Sequence, residues 1–212
     1  MQVTQSDIDL ELDALVGEAP DGQPLDPLTA LFVEVGTCAS AMTLDTVGAR
    51  RAMSRALAAG ATVAQLQEVV TLVSTMGVHA LFESSRVLAE LAGEEPPRDP
   101  GRQELWDRYV GTSRRWTSMR EEIPGFLEAL LRLSPEAFAA FFEFVAVPFR
   151  SSALTTVQKE LVAAAVDAMP SHRYLPGMRM HVRNALALGA GGRAVRDALA
   201  IAAGAPPAHG IR

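Results

Sequence analysis

The sequence is poor in the residues on which thiol chemistry and nucleic-acid binding depend. Cys38 is its single cysteine, so the chain can form neither an intramolecular disulfide nor a cysteine metal knuckle. We expect Cys38 to be a small core residue, with a lone reactive thiol as the alternative. Acidic side chains outnumber basic ones by 25 to 19 in 212 residues. This balance lacks the positive field that attracts a phosphate backbone, so we expect a small-molecule or protein partner and no nucleic acid.

Long apolar runs and targeting signals are also missing. No run reaches the ~18 residues that cross a bilayer, and the acidic stretch from Met1 to Glu18 lacks the layout of a signal peptide. We therefore expect a cytoplasmic protein with no membrane partner. The chain also lacks metal-ligand spacings and phosphate-cradling glycine loops, so we expect neither a metal site nor a cofactor.

Apolar residues recur at three- and four-residue spacing through two blocks, Leu28 to Ala92 and Leu105 to Ala203. This period predicts an all-α fold. The stretch from Gly93 to Gly101 is rich in proline, glycine and charge, as interdomain linkers are. We predict an N-terminal module over residues 1–95, a linker over 96–104 and a C-terminal module over 105–212.

An internal repeat links the two blocks. Similar alanine- and leucine-rich segments end at Gly60 and Gly189, where a left-handed residue would close a helix. Thr62, followed three residues later by glutamine, predicts a capping box that starts the next helix. Glu68 and Asp197 each lie eight residues past their glycine, so the register continues into that helix. We interpret the pattern as a duplication, with chance agreement as the alternative.

Two residues of the second block are candidates for proton transfer. Thr155 and Gln158 predict the start of a helix whose apolar stripe includes or borders Glu160. The next predicted helix carries His181 on its apolar face. Two antiparallel neighbours could bring this carboxylate and imidazole together as an acid–base pair. The alternatives are a helix-edge glutamate, paired with an arginine or solvated, and a histidine buried in the core for packing.

Four further side chains are candidates for substrate binding. Arg179 and Arg183 flank His181 and could hold a carboxylate, although surface solvation would be the ordinary fate of at least one of them. His172 and Tyr174 lie in the connection before that helix and could line the mouth of a pocket.

The segment from Leu105 to Arg150 is rich in aromatic residues. We interpret it as helices that pack on the second module, with an aromatic-lined substrate pocket as the alternative.

The runs from Lys159 to Val166 and from Met178 to Ala190 resemble the carboxymuconolactone decarboxylase superfamily, which includes the alkylhydroperoxidase D-like (AhpD-like) proteins. The recurring pattern is a glutamate early in one helix and a histidine eight residues before the glycine that ends the next. Glu160, His181 and Gly189 match this pattern. The resemblance implies an AhpD-like helical fold in two tandem divergent repeats.

The resemblance is uneven along the chain. It covers residues 154–208 well and residues 28–91 in outline. The first copy has Ala52 where the second has His181, so it looks like a degenerate module that keeps only a packing role. Single-module relatives assemble as rings of six, which suggests by analogy that this two-module chain is a homo-oligomer, a trimer.

The resemblance also separates two branches of the superfamily. Peroxidase-type members place two cysteines seven and four residues before the histidine, where this chain has Tyr174 and Gly177. A thiol relay needs both sulfurs, so the sequence looks closer to the decarboxylase branch.

The leading functional hypothesis is a cofactor-free lyase or decarboxylase of a small carboxylated or lactone metabolite. In it His181 transfers the proton, Glu160 orients His181, and Arg183 or Arg179 holds an anionic group. Hydrolysis or isomerisation would use the same pair. The rival hypothesis is a non-catalytic binding or assembly protein of the same fold.

Overall fold

The all-α prediction is confirmed. A computed structural model describes residues 3–93 and 98–209, and the regular elements in these ranges are helices. In chain order they are α1 (Gln5–Val16), α2 (Pro27–Ala39), α3 (Thr46–Ala58), α4 (Val63–Ser74), a 3-10 turn (Thr75–Val78), α5 (His79–Leu91), α6 (Pro100–Tyr109), α7 (Arg114–Glu122), α8 (Phe126–Leu133), α9 (Pro135–Val145), α10 (Val147–Arg150), α11 (Thr156–Ala168), α12 (Leu175–Ala187) and α13 (Gly192–Ala203). Every described helix is too short or too polar to traverse a bilayer.

The predicted helix boundaries around the repeat are confirmed. Thr62 and Thr155 are N-caps, and each forms a capping box with the glutamine three residues later. Gly60 and Gly189 follow the ends of α3 and α12 with φ of +97° and +96°. Side chains disfavour this left-handed conformation, so glycine is the residue suited to both positions.

The chain forms two compact units. One contains residues 3–76 together with 148–209, and the other contains the described residues from Gly77 to Val147. Helix α11 is the centre of the first unit: every residue from Lys159 to Ala168 is buried, and α2, α4, α12 and α13 pack around it. This enclosure explains why α11 is apolar on nearly all sides.

Within the first unit, the helices of the triplet α2–α3–α4 begin and end at positions that match those of α11–α12–α13 at an offset of 129 residues. Gly60 and Gly189 differ by this offset, and so do Leu44 and Arg173, which have unusual positive φ values of 49° and 50°. No insertion therefore interrupts the correspondence from α2 to α4. The interpretation of this correspondence as a gene duplication stays a proposal.

Each triplet also forms a hydrogen bond to the segment that precedes the other triplet. Glu68 on α4 accepts a hydrogen bond from the backbone N of Leu154, just before α11, at 3.0 Å. Asp197 on α13 accepts one from the backbone N of Leu25, just before α2, at 2.9 Å. The carboxylates of the repeat therefore orient the first helix of the opposite triplet.

The aromatic segment is helical, as predicted, and its part up to Val147 belongs to the second unit. Its rings contact one another, with Phe138, Phe141 and Phe142 meeting Trp106, Tyr109 and Trp116. Whether it packs on the C-terminal module stays a prediction. The division into modules with a linker over 96–104 also stays a prediction: residues 96 and 97 lie outside the described ranges, and α6 begins at Pro100.

Candidate active site

Helices α11 and α12 bring the two predicted proton-transfer residues together. The Nδ1 of His181 lies 2.6 Å from Oε2 of Glu160, and both residues are only 4% exposed. The same glutamate oxygen accepts a hydrogen bond from Nδ2 of Asn184 at 3.3 Å. Asn184 is one helical turn after His181, so α12 presents both donors to one carboxylate oxygen. The imidazole is therefore held by its Nδ1 edge.

A second carboxylate, Asp167, lies near the other edge of the imidazole. Its Oδ2 is 4.0 Å from Nε2 of His181, and the residue is fully buried. Sequence reasoning missed Asp167, although a signal was present: it follows Glu160 by seven residues, or two turns, and so shares its face of α11. The histidine is flanked by two carboxylates from one helix.

The absence of a side chain at Gly177 makes room for this carboxylate. A Cβ at Gly177 would overlap Oδ2 of Asp167 and come within 2.9 Å of the Tyr174 ring. Gly177 is one of the two positions at which the resemblance places a peroxidase cysteine. Here that space is taken up by a buried carboxylate.

His172 and Tyr174 lie on the other side of Asp167. The Nε2 of His172 is 3.5 Å from Oδ1 of Asp167, and the imidazole stacks on the Tyr174 ring with 5.9 Å between centroids. The backbone N of Tyr174 donates to the carbonyl oxygen of Asp167 at 2.8 Å. Both side chains are half-buried, so this connection extends the site from the buried His181 towards the surface of the unit.

The two predicted anion-binding arginines project from a different face of α12 than His181. Residues two apart on a helix point to opposite sides, and Arg179 and Arg183 are each two residues from the histidine. The Nη1 of Arg179 lies 3.4 Å from Oε1 of Glu11 on α1, and Arg183 is exposed. Their role in substrate binding stays a prediction that this arrangement does not strengthen.

A buried ion pair lies beside the site and was not predicted. Lys159, the only lysine, is adjacent in sequence to Glu160, and its Nζ lies 2.7 Å from Oε1 of Glu68. The Nζ also donates to the backbone oxygen of Ser151 at 2.6 Å. Burial raises the pKa of the Glu68 carboxyl, but hydrogen bonds from Lys159, Ser151 and Leu154 outweigh it, so the pKa is lowered overall. The pair fixes the start of α11 and with it the position of Glu160.

The chain is similar to known proteins, both in sequence and in structure. The profile of the carboxymuconolactone decarboxylase family matches residues 135–206, a range that contains Glu160, Asp167 and His181. A protein of known crystal structure from Burkholderia xenovorans LB400 is 32% identical, with a TM-score of 0.72, over 95% of this chain and 91% of that chain. That protein is named as a gamma-carboxymuconolactone decarboxylase subunit, an assignment that its own name gives as provisional. No curated protein matches the chain.

Proposed function

Because the chain belongs to the carboxymuconolactone decarboxylase family, we propose that it is a lyase that removes the carboxylate of a small carboxylated lactone. The observation that carries the proposal is the buried contact of 2.6 Å between His181 and Glu160. A carboxylate that fixes one imidazole nitrogen leaves the other nitrogen to exchange a proton with a substrate.

In the proposed mechanism each imidazole nitrogen of His181 has its own role. The proposal takes Glu160 as ionised; its carboxylate can then only accept, so Nδ1 of His181 carries the proton and donates a hydrogen bond to Oε2. In the neutral ring Nε2 then carries the basic lone pair, and it is the atom that acts as base or, once protonated, as acid. Glu160 and Asn184 act as positioning residues: Glu160 orients the His181 ring, Asn184 holds the Glu160 carboxylate, and neither contacts the substrate in this mechanism.

In the proposed reaction one proton replaces the carboxylate on the carbon skeleton. The bond between the lactone carbon and its carboxylate breaks, CO2 leaves, and the electron pair passes into the conjugated lactone. Protonated Nε2 of His181 then delivers a proton to the carbon skeleton and later regains one from solvent. Asp167, 4.0 Å from Nε2, stabilises the imidazolium form. No cofactor takes part in this scheme.

The decarboxylase branch is favoured over thiol peroxidase chemistry by the side chains at the site. Tyr174 and Gly177 occupy the positions of the peroxidase cysteines, and Cys38 is on α2. A single thiol cannot both attack a peroxide and resolve the product into an intramolecular disulfide. We therefore expect Cys38→Ser to retain full activity.

Product analysis tests this proposal. Purified protein would be incubated with gamma-carboxymuconolactone and, as a matched control, with the same lactone lacking the carboxylate. We expect CO2 release and a decarboxylated lactone from the first compound only, at equal rates in the wild type and Cys38→Ser. Ring opening without CO2 release would contradict decarboxylation in favour of hydrolysis. Failure to convert either compound would favour a binding or assembly role.

A further inference from the structure

The first unit contains a cavity of about 230 Å³ that is separate from the residues around His181. It lies between α2, α3 and the C-terminal end of α13. Its polar lining includes Cys38, Asp45, Arg51 and Arg55, and its apolar lining includes Ala52 and Ile201. None of these residues takes part in the proposed reaction.

This cavity is the structural counterpart of the candidate active site. At the offset of 129 residues, Ala52 corresponds to His181 and Cys38 to Asp167. The local geometry is also repeated: the backbone N of Asp45 donates to the Cys38 oxygen at 3.0 Å, as the backbone N of Tyr174 donates to the Asp167 oxygen at 2.8 Å. The glycine that makes room for Asp167 has a counterpart too, Gly48, where an added Cβ would overlap the Asp45 carboxylate and lie 3.0 Å from Sγ of Cys38.

The counterpart has lost the proton-transfer groups and gained charged side chains of both signs, the cations Arg51 and Arg55 and the carboxylates Glu34 and Asp45. Alanine in place of histidine removes a ring from the cavity floor, and Leu31 replaces the glutamate that orients it. Arg51 and Arg55 stand where the second triplet has methionine and asparagine. The result is an open space with an apolar floor and guanidinium groups at its wall.

The two arginines differ in whether they form an ion pair. The Nη1 of Arg55 lies 2.6 Å from Oε2 of Glu34, so its charge is neutralised within the protein. Among the residues that the structure describes, Arg51 makes neither a hydrogen bond nor an ion pair. The Asp45 carboxylate accepts from the backbone N of Gly48 at 2.9 Å, where it caps α3. Arg51 is thus the cation available to a ligand.

The neighbouring thiol does not oppose an anion. Burial, and to a lesser extent the Asp45 carboxylate, raises the pKa of the Cys38 thiol above its ordinary value. The thiol is therefore neutral at physiological pH, and it adds no negative charge beside Arg51.

We propose that this cavity is a second ligand site, which binds a small carboxylate with an apolar body. Arg51 takes the carboxylate through its planar fork, and the body of the ligand lies on Ala52 and Ile201. A molecule the size of benzoate fits the volume. Binding here is independent of the His181 chemistry, so the site holds a ligand whether or not the proposed lyase reaction is correct.

Cys38 offers a built-in reporter for this site, because it lines the cavity and is the only cysteine. The test measures the rate of Cys38 alkylation by iodoacetamide, followed by intact mass, against increasing benzoate. We expect benzoate to slow alkylation saturably. Benzamide, which has the same shape without the charge, should have little effect.

A matched pair of arginine variants identifies the cavity responsible. Cys38 also borders an apolar cleft lined by Arg50, whereas Arg51 lines only the proposed site of these two. Both arginines are exposed, so Arg51→Gln and Arg50→Gln should fold normally. We expect Arg51→Gln to raise the benzoate concentration needed for protection about tenfold or more, and Arg50→Gln to leave it unchanged.

Several results would overturn the proposal. These are no protection by benzoate up to about 10 mM, protection that survives Arg51→Gln, protection lost in Arg50→Gln, and equal protection by benzamide. Each is independent of whether the protein decarboxylates a lactone.

Discussion

The chemistry of the candidate site depends on a few buried polar residues held between two helices. Glu160 and Asp167, two turns apart on α11, flank His181 on α12. Buried charges are tolerated only when they are paired or hydrogen-bonded, so these groups constrain one another strongly. Gly177 is part of this arrangement because the Asp167 carboxylate occupies the space of its missing side chain.

Gly177→Ala tests this packing. Alanine is the better helix former, but its Cβ would overlap the carboxylate of Asp167, a fully buried residue. We expect a loss of about 1–3 kcal/mol in the free energy of unfolding, measured by urea denaturation, together with reduced turnover. Gly77→Ala is the control, since no atom lies within 4 Å of the position that its Cβ would take, and it should change stability by less than about 0.5 kcal/mol. Equal effects of the two changes would refute the packing argument.

The central pair of the site could be predicted from the sequence, but only part of its surroundings could. Glu160 and His181 each lie on an apolar stripe, and stripes on neighbouring helices face each other. Asp167 satisfies the same criterion, and it was missed because an aspartate near a helix end is usually exposed. The contact of Arg179 with Glu11 joins α12 to α1, and no local pattern encodes which distant helix a partly buried arginine meets.

At the scale of elements, the buried ion pair between Glu68 and Lys159 joins α4 to the start of α11. We expect Glu68→Gln to cost about 3–5 kcal/mol of unfolding free energy, because it leaves the Lys159 ammonium buried without a counter-charge. Asp13→Asn removes an exposed pair with Arg196 and should cost at most about 1 kcal/mol. Chemical denaturation of both variants at neutral pH checks the contrast. Similar losses of unfolding free energy in the two variants would show that the buried pair contributes no more to stability than the exposed one.

The same pair predicts a pH dependence. The folded-state pKa of Glu68 is lowered, so its stabilising contribution is complete well above the ordinary glutamate pKa of about 4.3. It is lost as pH falls through the lower folded value. The stability difference between the wild type and Glu68→Gln should therefore shrink as the protein is acidified below about pH 4. A difference that stays constant or grows on acidification would contradict this assignment.

Helix positions were predictable because their signals are local. The capping boxes at Thr62 and Thr155 and the glycines after α3 and α12 specify boundaries within a few residues of sequence. Periodicity carries no information on which helices pack together. The grouping of α5 with α8 in the second unit, and the meeting of Glu68 with Lys159, both depend on contacts between distant segments.

At the scale of the whole molecule, we propose that the chain is a homo-trimer. Large apolar side chains are exposed on α3 and α4, among them Val47 at 69%, Leu57 at 46% and Val63 at 73%. Contiguous exposed apolar side chains are typical of an interface, and the proposal requires these side chains to form one patch. Light scattering coupled to gel filtration should give a mass near three times the 22.6 kDa of the chain. A monomer mass at micromolar concentration would contradict the proposal.

The central claim is that His181, oriented by Glu160, transfers the proton during decarboxylation. The most direct test compares turnover of gamma-carboxymuconolactone by the wild type and by His181→Ala, with folding verified by circular dichroism. We predict that kcat falls by about 10²- to 10⁴-fold, because general acid–base catalysis by a positioned side chain contributes this much. Unchanged turnover in His181→Ala would contradict the account.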